Sequence, residues 1–341
     1  MGDAGRPDTD PNVVDMMRLL RGFQVSQALY VLAKCRLPDR LVDGPLPMPE
    51  AAAVLGLDED ALRRVIRVAV AVGALTLERD ERVVALTPLG ATLATQPATS
   101  VRQVALMLME TQYVPFGGLW DTMQHGRPTP EAVLGMPFFD WLATQQDGAA
   151  TFTAAMAEMT HTMRYPAVAA LDLDGVDHLV DVGGADGTVL AALAGRYPQL
   201  RGTVFDLPHV VASAADVLRS HSVANRIGTV GGDFFVSVPA DADCYLLANV
   251  LHDWGDEEAR RILRVVHDAA PPGGRLLLIE LVLGVGTARL YTSLMDLTML
   301  TLFGGRERTE AEWRMLLTSV GFRFGAIRPT GGPFCVLEAT R

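Results

Sequence analysis

The sequence predicts an α/β protein in two parts: a mainly helical N-terminal half and a C-terminal half built as a Rossmann-like doubly wound sheet. Apolar residues recur at helical spacing up to about residue 175. After that point, short β-rich runs alternate with helical runs, which is typical of a parallel α/β sheet. The length of 341 residues is enough for two domains.

The N-terminal half begins with a series of helices followed by two short extended runs. In order, the pattern predicts one amphipathic helix over residues 13–35, helices over 49–55 and 59–72, and extended runs over 75–77 and 83–86. Asp58 stands just before the third of these helices, where an N-cap residue is needed. A helix-turn-helix followed by a β-hairpin is the outline of a winged helix, which either binds DNA or serves as a packing and dimerisation module.

The charge of the chain argues against the DNA-binding alternative. Lys and Arg number 29 and Asp and Glu number 40, which gives a net charge of −11, whereas a nucleic-acid binder gains affinity from basic residues on phosphates. The candidate recognition helix, ALRRVIRVAVAVG, carries three arginines but is otherwise strongly apolar. We therefore expect no nucleic-acid partner, and a DNA-binding regulator with a ligand-sensing sheet remains the alternative.

Composition excludes several other classes of protein. Hydrophobic residues make up 49% and charged residues 20% of the chain, so it is not a disordered protein. Cys35, Cys244 and Cys335 lie far apart without a CxxC spacing, which predicts a cytoplasmic protein with neither disulfides nor a bound metal. The sequence has no uninterrupted run of about 18 apolar residues, so we expect no membrane span. Residues 1–12 are expected to form a flexible tail without an export signal.

Residues 101–174 continue as helices that carry many large apolar side chains, most of which we expect in the core. A minority is expected to line a pocket for a flat aromatic ligand, because flexible Met and planar aromatic side chains suit such ligands. The candidates, including some from a later apolar helix, are Met107, Phe116, Trp120, Phe139, Met156, Met159, His161, Met295, Met299 and Phe303. Asp296 either bonds a polar group of the substrate or serves packing. The apolar excess of the helical half also predicts a homodimer.

The C-terminal half reads as repeated β-α units. The predicted strands cover residues 178–182, 201–206, 227–231, 242–247, 275–280, 322–328 and 334–338, with helices near 187–196, 209–219, 256–270 and 309–320. Ligands of such sheets bind at the carboxyl ends of the strands, so the residues at those ends are the candidate site.

A glycine-rich turn follows the first of these strands in HLVDVGGADGTVL. Gly183, Gly184 and Gly187 allow a tight turn and a close approach of a ligand. Asp181 lies just before the turn, where a carboxylate repels a pyrophosphate but receives an ammonium group. This disfavours a nicotinamide oxidoreductase, which is one alternative class of enzyme for such a sheet, and favours a ligand with a cationic amino-acid moiety.

The next two strand ends fit a nucleoside. Asp206 follows Asp181 by 25 residues, and an acid at about that separation accepts hydrogen bonds from ribose hydroxyls. Asp233 can accept the exocyclic amine of adenine, and Phe234 can stack on the ring.

The fourth strand end carries a histidine among acids. His252 and Asp253 follow a buried strand, and Asp256 either supports an imidazolium or caps the next helix. Glu280 ends the apolar run RLLLIE and Glu307 lies in GGRERT, so that either carboxylate is a candidate to flank the histidine.

Five motifs in order, DVGGADG, FDLP, GDFF, LHDW and GGRERTEAEW, resemble the class I S-adenosylmethionine-dependent O-methyltransferases of the caffeate and hydroxyindole type, including actinobacterial enzymes that methylate aromatic polyketides. The resemblance covers nearly the whole chain. It implies a winged-helix-like dimerisation domain over residues 13–100, a helical linker over 101–174 that contributes to the substrate pocket, and a cofactor-binding catalytic domain over 175–341. It further implies that the last strand of the sheet is antiparallel.

The resemblance also implies residue roles. The turn from Asp181 to Gly187 would hold the methionine moiety, Asp206 the ribose, and Asp233 and Phe234 the adenine. Leu207 and Asn249 are further candidates for cofactor binding. His252 matches the catalytic base, Glu280 and Glu307 match the acids that orient it, and Asp253 supports the site. Asn249 stands where plant members often have Lys, Asp186 departs from the usual glycine turn, and Arg164 is assigned to the cofactor carboxylate.

The implied reaction is in-line methyl transfer to a phenolic oxygen in natural-product metabolism, with S-adenosyl-L-homocysteine as the product. His252, with a reference pKa of ~6.5, would take the phenolic proton. Methylation of nitrogen or carbon and a catalytically retired relative remain alternatives.

Overall fold

The computed structural model of the protein describes residues 10–78, 80, 82–96, 98–286 and 288–341. The predicted tail therefore lies mostly outside the described residues, and its last part belongs to the first helix. The chain divides into two compact units, one of Met1–Val114 with Leu142–Thr162 and the other of Pro115–Trp141 with Met163–Arg341. No helix in the described ranges is long and apolar enough to cross a membrane.

The helices are numbered in chain order. They are α1 (Pro11–Leu20), α2 (Gly22–Lys34), α3 (Leu37–Leu41), α4 (Met48–Leu55), α5 (Glu59–Ala71), α6 (Pro88–Ala91), α7 (Arg102–Met107), α8 (Leu119–His125), α9 (Pro130–Leu134), α10 (Phe138–Thr144), α11 (Gln146–Met159), α12 (Tyr165–Ala170), α13 (Thr188–Arg196), α14 (Pro208–Val211), α15 (Ala214–Ser220), α16 (Asp256–Ala269), α17 (Arg289–Thr298) and α18 (Glu310–Ser319). Short π-helical turns cover Leu108–Gln112, Thr160–Arg164 and Met299–Phe303, and 3₁₀ turns cover Pro115–Gly118 and Leu251–Asp253.

The strands fall into two sheets. They are β1 (Leu46–Pro47), β2 (Leu75–Glu78), β3 (Val83–Leu86), β4 (His178–Val182), β5 (Arg201–Asp206), β6 (Ile227–Gly231), β7 (Cys244–Ala248), β8 (Arg275–Leu283), β9 (Arg308–Thr309), β10 (Arg323–Pro329) and β11 (Phe334–Thr340). The first unit holds the small antiparallel sheet β1-β3-β2, and the second holds the order β10-β11-β8-β7-β4-β5-β6 with β9 beside β8.

The winged-helix outline in the first unit is confirmed. The Asp58 side chain accepts a hydrogen bond of 2.8 Å from the backbone N–H of Ala61, so Asp58 caps α5 as predicted. Leu62 and Ile66 on α5 are buried in the core of this unit. The hairpin of β2 and β3 follows directly.

The prediction of a single helix over residues 13–35 is wrong, because the chain breaks between α1 and α2. Arg21 leaves the helical region at φ −89° and ψ 6°, and Gly22, a poor helix former, begins α2. No residue of α1 is buried. Val13, Val14, Leu19 and Leu20 are all more than half exposed, so α1 presents an uncovered apolar surface.

The sheet of the second unit has the predicted doubly wound topology. Strands β5 and β6 lie on one side of β4, whereas β7 and β8 lie on its other side. All of these strands pair in parallel. β11 runs antiparallel to both β8 and β10, which confirms the expectation of an antiparallel last strand. The carboxyl ends of β4 and β7 therefore flank the point where the strand order reverses, the usual ligand position in such sheets.

Several elements of the second unit differ from the predicted bounds, including the last two strands, which run over Arg323–Pro329 and Phe334–Thr340. The helix over 209–219 is divided into α14 and α15, because the Ser213 hydroxyl bonds the Val210 carbonyl and competes with the helix. The strand expected from residue 242 begins at Cys244, since the N–H of Ala242 turns to the Tyr245 hydroxyl instead. The strand expected to end at Glu280 continues to Leu283, where it pairs with β9.

Apolar residues cover both faces of this sheet. Alternate residues of a strand point to opposite faces, and accordingly Leu179 and Leu246 belong to one buried cluster while Val180 and Leu247 belong to the other. Acidic side chains at the ends of such strands are costly to bury unless they are paired. The buried Asp181 and Glu280 therefore mark a functional edge of the sheet.

Candidate active site

Asp181 is a buried acid near the end of β4. Both of its carboxylate oxygens are buried, and neither has a hydrogen-bond partner among the described residues. Burial, together with the charges of Asp206 and Asp186, raises the pKa of Asp181 to about 7 in spite of the opposing charge of Arg164. A ligand ammonium group would pair with this carboxylate and relieve the cost.

The turn after Asp181 has a backbone that requires glycine. Gly183 and Gly187 have φ angles of 73° and 76°, which L residues with a side chain rarely adopt. A Cβ atom on Gly184 would lie 2.8 Å from the Asp181 carboxyl carbon. The turn is therefore a cradle beside Asp181 that any side chain at Gly184 would fill.

Asp186, the acid that departs from the usual turn, faces the backbone. Its Oδ1 atom accepts a hydrogen bond of 3.0 Å from the N–H of Thr188 at the start of α13. This bond gives the Asp186 side chain a local structural partner. Its charge still reaches Asp181, whose ionisation it opposes.

Asp206 joins the glycine turn to the end of β5. Its Oδ2 atom accepts from the N–H of Ala185 at 2.9 Å, and its Oδ1 atom accepts from the N–H of Leu207 at 2.7 Å. Each carboxylate oxygen keeps a further lone pair for a ligand hydroxyl. Leu207 itself is 42% exposed.

The end of β6 carries an aromatic wall. Asp233 is exposed, and its Oδ1 atom accepts from the N–H of Phe235 at 2.8 Å. The Phe234 ring is half-buried and packs against Phe235 and Trp254, with ring centroids 5.1 and 6.1 Å away. The Phe234 ring is thus backed by two packed aromatic rings.

The turn after β7 places His252 inside the protein. Asn249 adopts the left-handed conformation with φ 57°, which Asn tolerates better than most residues. Its N–H bonds the Ile279 carbonyl at 2.9 Å, while its side-chain oxygen is buried and unbonded within the described part of the chain. The 3₁₀ turn then carries His252, which is 7% exposed.

His252 contacts two carboxylates. Its Nδ1 atom lies 2.8 Å from Glu307 Oε1, and its Nε2 atom lies 3.4 Å from Asp253 Oδ1. Burial opposes the charged ring, but the charges of Asp253 and Glu307, the bond to Glu307 and the charge of Glu280 outweigh it and raise the pKa of His252 to about 10. The ordinary histidine value assumed from the sequence therefore does not apply here.

Glu280 is the second candidate partner, and it contacts the turn rather than the ring. Its Oε1 atom accepts from the N–H of Leu251 at 3.0 Å, and its Oε2 atom is buried without a bond in the described structure. Burial, aided by the charge of Glu307, raises the pKa of Glu280 to about 7 against the opposing effects of His252 and Leu251. The histidine ring itself is bonded by Glu307.

His252, Glu280 and Glu307 also have the composition of a metal site, since ligand atoms from all three lie within 4.8 Å of one another. The His252 nitrogen and the Glu307 oxygen, however, face each other at hydrogen-bond distance. The geometry therefore favours a cluster that shares a proton, and the absence of a metal stays a prediction.

Asp296 and Asp256 have tasks that the sequence did not reveal. Asp296 Oδ1 accepts a 2.8 Å bond from the N–H of Glu307 and so anchors the segment that holds the histidine. The helix-cap alternative for Asp256 is wrong, because Gly255 is the N-cap of α16 and Asp256 is the first residue of the helix itself. The Asp256 carboxylate instead accepts from Arg308 at 3.0 Å.

Arg164 faces the same acids. Burial lowers its pKa, while the charges of Glu280, Asp253 and Asp186 act in the opposite direction. Its guanidinium carbon lies 6.0 Å from the centroid of the Phe334 ring. These acids belong to β8, to the turn that carries His252 and to the glycine turn.

The candidate acceptor residues are distributed over the two units. Met107, Met156, Met159 and His161 belong to the first unit, and Phe116, Trp120, Phe139, Met295, Asp296, Met299 and Phe303 belong to the second. In the second unit the Phe139 ring stacks on Phe303 with centroids 5.2 Å apart. Phe138, which is not among the candidates predicted from the sequence, meets Phe303 edge-on with ring centroids 5.2 Å apart.

Exposure separates these candidates further. Met107 and Met159 are buried in the first unit, as is Met299 in the second, whereas Trp120 is 71% exposed. A cavity of about 730 Å³ in the second unit is lined by Phe138, Leu302 and Phe303 together with the polar side chains of His125 and Arg127.

Arg308, directly after Glu307, was missed in the sequence. The side chain is fully buried and bonds the carbonyls on either side of His252. Its position next to the candidate acid Glu307 in GGRERT could have indicated a role at the site, because so short a segment does not form a core strand by itself.

A buried acid before a glycine turn, an acid at the end of the neighbouring strand and an aromatic wall, along the carboxyl edge of a sheet with this strand order, are features of class I S-adenosylmethionine-dependent methyltransferases. This protein is one of them. More narrowly, the chain belongs to the O-methyltransferase family: residues 116–323 match the O-methyltransferase domain, and residues 17–96 match the O-methyltransferase dimerisation domain.

Individual relatives span almost the whole chain. The phenazine O-methyltransferase PhzM of Lysobacter antibioticus is 36% identical over 324 residues, covering 95% of each chain. The O-methyltransferase NcsB1 from neocarzinostatin biosynthesis, solved with S-adenosylmethionine and 2-hydroxy-5-methyl naphthoic acid, has a TM-score of 0.78 at 32% identity and covers 92% of this chain and 95% of that one. The aclacinomycin 10-hydroxylase RdmB of Streptomyces purpurascens is 35% identical over 343 residues, covering 97% of this chain and 91% of its own.

Proposed function

We propose that this protein transfers a methyl group from S-adenosylmethionine to a phenolic oxygen of an aromatic small molecule in natural-product biosynthesis, with His252 as the general base. The observation that carries the proposal is the buried His252 ring held at 2.8 Å by Glu307, next to Asp253. A base with this support can remove a proton from a hydroxyl in a site that excludes water.

The cofactor supplies an activated methyl group, so the protein must supply alignment and a stronger nucleophile. Asp181 would pair with the ammonium of the methionine moiety, and the Gly183–Gly187 turn leaves room for it. Asp206 would accept bonds from the ribose hydroxyls. Asp233 and Phe234 would hold the adenine, and Arg164 would pair with the carboxylate.

The proton of the acceptor hydroxyl would be held at Nε2 of His252, since Nδ1 faces Glu307. A phenol has a pKa of ~10, and the environment raises the pKa of His252 to about 10. Proton exchange between two groups of matched pKa costs little free energy. The Asp253 carboxylate, 3.4 Å from Nε2, stabilises the imidazolium that forms beside the phenolate.

An aromatic acceptor is favoured by the stacked pair of Phe139 and Phe303, by the naphthoic acid bound in NcsB1 and by the phenazine methylation for which PhzM is named. Planar apolar walls select flat ligands without specifying the ring system. The acceptor class is therefore a phenol on a flat aromatic skeleton.

A homodimer is proposed for the first unit. The match to a dimerisation domain covers residues 17–96. Helix α1, which has no buried residue, offers Val13, Val14, Leu19 and Leu20 as an apolar surface for a second copy.

Calorimetric titration with S-adenosylhomocysteine tests the cofactor, with NADH as the control. We expect micromolar binding of S-adenosylhomocysteine alone. A panel of phenols, matched anilines and methyl ethers then tests the acceptor by mass spectrometry. We expect the gain of one methyl group on phenols only. Methylation of the anilines would show that the acceptor atom is nitrogen and not oxygen.

Two results would contradict the proposal. Cofactor binding with no methylated product from any acceptor would indicate a retired relative or an enzyme with other chemistry, such as a hydroxylase that adds oxygen. A folded protein that binds no S-adenosylhomocysteine but shifts its upstream DNA in a gel would indicate the regulator.

A further inference from the structure

We propose that Arg308 is a positioning residue that fixes the turn carrying His252, an inference that rests on the proposed methyl transfer. The Arg308 side chain is fully buried. Its Nη1 atom donates to the Leu251 carbonyl at 3.0 Å and its Nη2 atom to the Trp254 carbonyl at 2.9 Å. These carbonyls precede and follow His252, so one guanidinium holds both ends of the turn.

The segment 306–308 holds His252 by three kinds of contact. The backbone N–H of Arg306 donates to the His252 carbonyl at 2.8 Å. Glu307 bonds the ring at Nδ1, and Arg308 bonds the flanking backbone. Pairing of β9 with Val282 and Leu283 of β8 anchors the segment in the sheet. Backbone and ring of the base are thus fixed by consecutive residues.

The position requires an arginine. A planar guanidinium presents several donors in fixed directions, whereas a lysine ammonium is a single point charge. Asp256 Oδ1 lies 3.0 Å from Nε and 2.9 Å from Nη2, and the Trp313 ring lies 5.2 Å from the guanidinium carbon. A lysine would keep the charge beside Asp256 but lose the simultaneous bonds to both carbonyls.

The same contact reaches the aromatic wall at the end of β6. The Trp254 carbonyl is an acceptor of Arg308, and the Trp254 ring packs edge-on against Phe235 at 4.7 Å. Because Phe235 holds this ring separately, we expect loss of the guanidinium to disturb the base far more than the cofactor pocket.

The test compares Arg308→Lys with the control Arg314→Lys. Arg314 also combines a carboxylate, Glu310 at 3.0 Å, with an aromatic ring, Phe324 at 4.2 Å, but it lies on the exposed side of α18. Three readouts separate positioning from stability: kcat against the acceptor KM, S-adenosylhomocysteine affinity, and the pH titration of the His252 ring by ¹⁵N NMR.

We expect Arg308→Lys to lower kcat by about 10- to 100-fold, the size of effect that a small misplacement of a catalytic group produces. The acceptor KM and S-adenosylhomocysteine affinity should change little, and the His252 titration should move towards the ordinary histidine range. Arg314→Lys should match the wild type. A folded Arg308→Lys variant with wild-type kcat and an unchanged His252 titration would overturn the proposal.

Asp256→Asn provides a second, milder variant in case Arg308→Lys does not fold. It keeps the guanidinium but removes its carboxylate partner, so the same changes are expected at smaller size. If it too leaves kcat and the titration unchanged, Arg308 serves stability alone. The NMR titration needs neither cofactor nor acceptor, so it still decides the role of Arg308 if the methyl-transfer proposal fails.

Discussion

The Nδ1 atom of His252 lies 2.8 Å from Oε1 of Glu307, two buried groups that are 55 residues apart in the chain. With a carboxylate fixed at Nδ1, Nε2 is the nitrogen through which the proposed base would act. The second carboxylate, Asp253, lies on that side. This arrangement explains why the charged ring is favoured although it is buried.

Replacing His252, the proposed base, should reduce turnover without abolishing cofactor binding. General-base catalysis contributes about 10²- to 10⁴-fold, so His252→Ala should lose about that much kcat. S-adenosylhomocysteine affinity, measured by calorimetry, should stay near the wild-type value because Asp181 and Asp206 remain. A His252→Ala variant with normal turnover would show that another group takes the proton.

The pH dependence of kcat/KM should follow the raised pKa of His252. The neutral ring accumulates only as the pH approaches about 10, so kcat/KM should rise steadily above neutrality. Glu307→Gln removes a charge and a charged hydrogen bond that favour the imidazolium, so the rise should move to lower pH. Initial rates over a pH series measure this; a profile that is flat above neutrality in the wild type would contradict the assignment. Substrates with acidic phenols control for ionisation of the acceptor itself.

Removing the Asp181 charge should have opposite effects on cofactor binding and on the stability of the empty protein. Asp181→Asn loses a charged hydrogen bond, worth about 1.5–3 kcal/mol, so S-adenosylhomocysteine affinity should fall by about 10- to 150-fold. In the empty protein the folded-state pKa of about 7 exceeds the ordinary value of 3.8. The wild type therefore loses stability as the pH rises from about 4 to about 7.

Asp181→Asn should abolish that loss, so the variant should have the higher Tm above neutral pH. Thermal melts of the empty proteins at acidic and alkaline pH measure the difference. Asp233→Asn is the control, because Asp233 is exposed. An Asp181→Asn variant with wild-type cofactor affinity would remove this acid from the binding site.

Charging the uncovered face of α1 should separate the proposed dimer. Leu19 and Leu20 are 66% and 64% exposed, and burial against a second copy would make an introduced charge costly. The double variant Leu19→Asp, Leu20→Asp should sediment as a monomer in analytical ultracentrifugation, with Arg18→Gln as the control. A wild-type chain that is monomeric at all concentrations would exclude the dimer.

Much of this protein follows from its sequence. Periodicity and turn residues predict the bounds of β4, β5 and β6, the cap of α5 and the division into a winged-helix part and a doubly wound sheet. The sequence also predicts that the glycine turn, Asp181 and Asp206 lie at strand ends, whereas their contacts with a ligand stay a prediction. These features are encoded within short segments.

Tertiary structure alone decided which acid holds His252. Both Glu280 and Glu307 follow apolar or turn segments, and spacing does not distinguish them. The parallel pairing of β7 with β8 brings Glu280 to the N–H of Leu251, and the pairing of β8 with β9 brings Glu307 to the ring. The raised pKa of His252 and the contacts of Arg308 likewise depend on burial and on partners distant in the chain. Local sequence sets the residues at each strand end, but only the pairing of strands sets the distances between them.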